Sequence, residues 1–107
     1  EALRRESRGF RALLGYDPRT TARRVRVPTL LLHGDTDAQV PVAQAAELAA
    51  VLRRSGADAV VERFPGVNHL FLADPSGDPA GYLLLAERRL AAGVAAAVAR
   101  WLEARLP

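Results

Sequence analysis

Two short clusters in this chain of 107 residues carry the side chains that could do acid–base chemistry: one holds His33, Asp35 and Asp37, the other His69 beside Asn68. A carboxylate next to an imidazole makes a working pair. The carboxylate accepts the Nδ1 proton, which sets the tautomer and leaves Nε2 as a general base near neutral pH. Each residue also has a plain structural reading. Asp35 and Asp37 suit a turn, His33 suits a hydrogen-bonded imidazole at the end of an apolar strand, and His69 suits an ordinary loop. The two histidines and two aspartates lack compact metal-ligand spacing such as H-x-x-x-H, so no metal is expected. Neither G-x-x-x-x-G-K nor G-x-G-x-x-G occurs, so no nucleotide cofactor is expected. With no Cys there is no thiolate nucleophile and no disulfide. The serines are Ser7, Ser55 and Ser76, and none sits in a G-x-S-x-G elbow between strand and helix. A Ser nucleophile is not found in this chain.

The clusters need elements to bring them together. Residues 1–15 read as a helix stopped at Gly15, and Asp17 caps a short helix from Pro18 to about Arg24. After Pro28, Thr29-Leu30-Leu31-Leu32 is apolar without alternation, as in a strand buried on both faces of a parallel sheet; it ends at His33-Gly34. Pro41 opens a helix over Val42 to Arg54, striped by Leu48, Val51 and Leu52 and stopped by Ser55-Gly56. Ala59 to Phe64 reads as a second strand, and a polar loop through Asp74-Pro75-Ser76-Gly77-Asp78-Pro79 follows. A final amphipathic helix is predicted from about Leu84 to Leu106, with Leu90, Val94, Val98, Trp101 and Leu102 on its core stripe.

The order is βαβα, so the fold class is α/β: a parallel sheet with helices on both faces, preceded by a helical segment. A parallel sheet delivers the loop after every strand to one edge, where ligand-binding groups collect. Asp37 and His69 are 32 residues apart, with one helix and one returning strand between them, so topology brings them to that edge. On topology alone the pair serves either as acid and base or as turn former and loop imidazole.

Half the residues are apolar and a quarter charged, a globular composition. The apolar runs are too short for a membrane span. Residues 1–26 hold eight arginines against three acids, and residues 27–107 hold seven against nine. Arg4, Arg8 and Arg11 follow helical spacing beside Leu3, Leu13 and Leu14, which a solvated helix face explains without a nucleic-acid partner. The chain opens Glu1-Ala2 with no Met anywhere, and its buried-type strand has a single candidate neighbour. It is therefore expected to be part of a longer chain, and to aggregate or pair when isolated.

The segment from Val27 to Pro41, a hydrophobic strand followed by Gly34-Asp35-Thr36-Asp37-Ala38-Gln39-Val40-Pro41, resembles the acid segment of α/β-hydrolases. Phe64-Pro65-Gly66-Val67-Asn68-His69-Leu70-Phe71 resembles their histidine loop. The Asn-His-Leu-Phe form, with Gly15-Tyr16-Asp17-Pro18 and Gly77-Asp78-Pro79-Ala80-Gly81-Tyr82, is similar to a bacterial branch described as serine aminopeptidase-like or prolyl-oligopeptidase-like, whose members are mostly carboxylic ester hydrolases. The resemblance implies that Asp37, not Asp35, is the catalytic acid and that His69 is the catalytic histidine. It places the Ser nucleophile and most of the oxyanion hole N-terminal to this segment. Residues 1–26 then end a cap or insertion region, and residues 27–107 are the C-terminal part of the hydrolase domain, which requires its N-terminal part. The implied substrate is a small-molecule ester or a peptide. The alternatives are a peptidase of the same superfamily and a non-catalytic hydrolase-like binding module.

Overall fold

Strand β1, Thr29–Gly34, pairs in parallel with β2, Ala59–Phe64, from Thr29 opposite Ala59 to Gly34 opposite Phe64. These assignments come from a computed structural model that describes the backbone of residues 2–107 and the side chains of residues 8–107. The side chains of Leu3, Arg4 and Ser7 lie outside the described residues. Among the described residues the sheet has two strands.

Alternation along the strands sends side chains to two faces, and each face has its own core. Leu31, Ala59 and Val61 pack with Ala49, Val51, Leu52 and Ala57 on one face. Leu32 and Phe64 pack with Val67, Ala91, Val94 and Ala97 on the other. The first face is covered by α3, Ala43–Arg54, whose buried residues include Ala45 and Ala49 besides the expected Val51 and Leu52. These alanines let the helix lie close to the sheet. Helix α4, Val94–Glu103, covers the second face. A strand with both faces covered needs no polar alternation, which is why the leucine run of β1 reads as it does.

Ahead of the sheet lie α1, Ala2–Leu14, and α2, Pro18–Ala22. The Gly15 amide closes α1 on the Arg11 carbonyl at 3.0 Å. The Asp17 side chain caps α2 by accepting the Arg19 amide at 3.0 Å. Arg8 and Arg11 are exposed, as a solvated helix face requires.

The C-terminal region departs from the sequence-based expectation of one helix from Leu84 to Leu106. A 3-10 helix at Pro79–Leu84, capped by Asp78, comes first, and α4 begins only at Val94. Between them the chain runs beside the histidine loop: the Ala91 amide donates to the Phe71 carbonyl at 2.8 Å, and Leu90 bridges Leu72 in antiparallel fashion. Those backbone bonds compete with helix formation, and Gly93, at φ 90°, breaks the helical path just before α4. Leu90, expected on the helix stripe, is 54% exposed instead.

Candidate active site

Both clusters arrive at the carboxyl ends of the two strands. Gly34, the last residue of β1, lies so close to the next loop that an added Cβ would be driven into the carbonyl oxygens of Val67 and Asn68. The absent side chain thus lets the aspartate loop and the histidine loop touch. The Asp35 amide then donates to the Phe64 carbonyl and the Thr36 amide to the Val67 carbonyl, each at 3.0 Å.

Asp37 is the residue the loop encloses. Its side chain is 6% exposed. Oδ1 accepts the amides of Gln39 and Val40, each at 2.8 Å. Oδ2 lies 2.9 Å from Nδ1 of His69. An ionised carboxylate can only accept, so this contact assigns the proton to Nδ1 and leaves Nε2 as the basic nitrogen. Burial pushes the Asp37 carboxyl up, but the Val40 amide, the His69 hydrogen bond and the Gln39 amide together outweigh it and hold the group below the ordinary aspartate value. The His69 side chain is 38% exposed, so its ring is open to an incoming molecule while its anchor is buried.

Asp35 has a different fate: its Oδ1 accepts from Nε of Arg63 at 2.8 Å, on the outer side of the loop. His33 is buried, and its Nε2 donates to the Val40 carbonyl at 3.0 Å, as expected of a satisfied structural histidine. The same nitrogen lies 3.5 Å from Oδ2 of Asp37, so it also flanks the acid. Ser76 donates its amide to Oδ1 of Asp74, and its hydroxyl receives the Asp78 amide at 3.4 Å. Ser55 follows the end of α3. Neither hydroxyl bonds to His69. Among the described residues no group of three or more His, Cys, Asp and Glu side chains could hold a metal.

Sequence reasoning assigned no role to the residues that hold the histidine loop. Asn68 is fully buried. Its Oδ1 accepts the amides of Leu70 and Leu72 at 2.9 and 3.1 Å, and its Nδ2 donates to Oδ2 of Asp74 at 3.1 Å. The loop turns so tightly that Phe71 takes φ 61°, a left-handed conformation unusual for an aromatic residue. Phe71 is held there by an edge-on contact with Phe64 at 6.4 Å between ring centres. The sequence signal for this was the Asn beside a His and the Asp six residues on, both side chains prone to bond to nearby backbone.

An open cleft of about 700 Å³ lies elsewhere, between the turn after α1 and β1, with Tyr16, Leu31, Leu32, His33, Val40 and Leu48 among its walls. Neither Asp37 nor His69 lines it, and its walls are mainly apolar. The Asp37–His69 hydrogen bond lies at the strand ends, outside the residues that line this cleft.

The model of the prolyl oligopeptidase family matches residues 2–83. A non-heme haloperoxidase of Rhodococcus erythropolis is 38% identical over 61 residues, which cover 57% of this chain and 21% of that protein. The chain thus spans about a fifth of the length of this curated relative. No solved structure matches it.

Proposed function

The chain belongs to the prolyl oligopeptidase family, a family of α/β-hydrolases, and on that premise we propose that Asp37 and His69 are the acid and base of a Ser-His-Asp triad that hydrolyses carboxylic esters. The observation that carries the reading is the 2.9 Å hydrogen bond from Nδ1 of a half-exposed His69 to a buried Asp37. The Ser belongs to a segment outside these 107 residues. Residues 27–107 serve as the C-terminal part of the catalytic domain and act only together with that segment.

His69 takes the serine proton on Nε2 while the serine oxygen attacks the ester carbonyl. The imidazolium then returns the proton to the leaving alcohol as the acyl-enzyme forms. Water repeats the attack with His69 as base and releases the acid and the free serine. Asp37 stays ionised throughout, holding the ring and balancing the transient positive charge. A pair of backbone N–H groups, also supplied by the outside segment, would stabilise the oxyanion.

Cleavage of peptide amides by the same constellation is the second reading, favoured by the family match itself. In the longer protein that includes the serine, a fluorophosphonate probe should label one site. His69→Ala should lower kcat for a short aryl ester by about 10⁴- to 10⁶-fold, and Asp37→Asn by about 10⁴-fold. Turnover in His69→Ala within tenfold of wild type would overturn the assignment. Faster cleavage of a dipeptide anilide than of an aryl ester of the same acyl group would replace the esterase by the peptidase.

A further inference from the structure

The residue between the two aspartates, Thr36, bridges both loops of the site. Its amide donates to the Val67 carbonyl at 3.0 Å, and its hydroxyl donates to the Asp74 carbonyl at 2.6 Å, across 38 residues of sequence. Asp74 is itself buried and receives Nδ2 of Asn68, the neighbour of His69. A continuous path of hydrogen bonds therefore runs from the residue before the acid to the residue before the base. Gly77 closes over the same point: at φ 70°, an added Cβ would collide with the Thr36 carbonyl and lie 3.0 Å from the Thr36 Cβ. Two glycine approaches thus join these loops, Gly77 against Thr36 and Gly34 against the Val67 and Asn68 carbonyls. Asp37 and His69 each stand at least three residues beyond the end of their strands, so contacts between the two loops, rather than strand pairing, fix their relative height.

We propose that the Thr36 hydroxyl, through the Asp74 carbonyl, is the positioning element that sets the register of the aspartate loop against the histidine loop, and hence the Asp37–His69 hydrogen bond. This rests on the reading of Asp37 and His69 as the catalytic pair. Thr36 touches no substrate; it acts through the geometry of that pair. Misplacing a catalytic group by about 1 Å costs up to about 100-fold in rate. Loss of the hydroxyl should therefore lower kcat and leave KM nearly unchanged.

The test compares Thr36→Val, Thr36→Ala and Thr36→Ser with wild type and His69→Ala in the longer protein. Val and Ala remove the hydroxyl, and Ala does so without a misplaced methyl, so it carries the comparison if Val does not fold. Ser retains it. Expected results are a fall in kcat of about 10- to 100-fold for Val and Ala, KM within about twofold, and recovery in Ser to within about threefold of wild type. The low-field proton signal of a His Nδ1–H bonded to a carboxylate should weaken or move in Val and Ala and return in Ser. A merely stabilising hydroxyl would lower Tm and leave the kcat of the folded enzyme and this signal alone. The proposal is overturned if a hydroxyl-free variant that folds keeps kcat within twofold, or if Ser falls as far as Ala. The His69→Ala control separates the two ideas: near-normal activity there sinks the catalytic pair, whereas abolished activity there with unaffected Thr36 variants sinks only the positioning role.

Discussion

Asp35 and Asp37 are the same residue type two positions apart, yet they have opposite surroundings. Asp35 meets the exposed guanidinium of Arg63, a contact worth at most about 1 kcal/mol. Asp37 is enclosed by two amides and an imidazole. Asp35→Asn should accordingly leave kcat within about threefold of wild type, against the roughly 10⁴-fold loss in Asp37→Asn. A larger loss in Asp35→Asn would mean that the wrong aspartate has been assigned. The depressed Asp37 value also makes a claim about pH. The folded state binds this proton less readily than the unfolded chain does, so its contribution is fully present above the unfolded aspartate range. It is lost as pH falls through the lower folded value. Urea denaturation from pH 7 towards pH 2 should show a steeper loss of stability in wild type than in Asp37→Asn; parallel curves would contradict the assignment. Asn68→Ala leaves the Leu70 and Leu72 amides without their acceptor and Oδ2 of Asp74 without its donor. The cost should be about 2–3 kcal/mol, read as a lower Tm.

The strands and α3 were legible because each carries a complete local signal. The leucine run of β1 and the stretch of Ala59 to Phe64 are bounded by Pro, Gly and polar residues, and the structure places β2 over just those residues. The end of the chain was misread for a physical reason. Leu90 and Val94 keep helical spacing, but the Phe71 carbonyl and the Leu72 bridge claim the backbone of residues 90–91. Periodicity cannot register a competitor some twenty residues away. Gly34 shows the converse, a single residue on which the junction of two elements depends. Gly34→Ala should lower stability by about 1–3 kcal/mol, because backbone carbonyls rather than flexible side-chain ends stand in the way. The same variant should disturb the Nδ1–H signal of His69. An unchanged melting curve would mean that the loops have room to separate.

Across the whole chain, much apolar surface remains uncovered. Phe10, Leu13 and Leu14 on α1 and Leu83 and Leu84 beyond the sheet are each more than 60% exposed. The leucines of β1 are only partly buried, although their pattern is that of a fully covered strand. The 107-residue chain studied alone should therefore self-associate, with a sedimentation profile that broadens with concentration. A monodisperse monomer with a single cooperative melt would count against this. Against that background α4 is well anchored at its far end, where Arg105 pairs with Asp58 at 2.7 Å and lies over the Trp101 ring at 4.6 Å. Trp101, read from the sequence as core, is only partly buried, and its indole N–H has no partner among the described residues.

The α/β class, the parallel order of the strands and the convergence of the two loops at one edge were all implied by residue pattern, because hydrophobic period and crossover topology are local consequences of side-chain type. The motif around Asp37 and His69 singled out the pair by resemblance. Folding in three dimensions settled which aspartate lies within reach of the imidazole and which ring nitrogen faces it. It also showed that a threonine hydroxyl 38 residues from its acceptor joins the two loops. These depend on distances between segments far apart in the chain, and hydrogen bonds of that kind leave no periodic trace in the order of the residues.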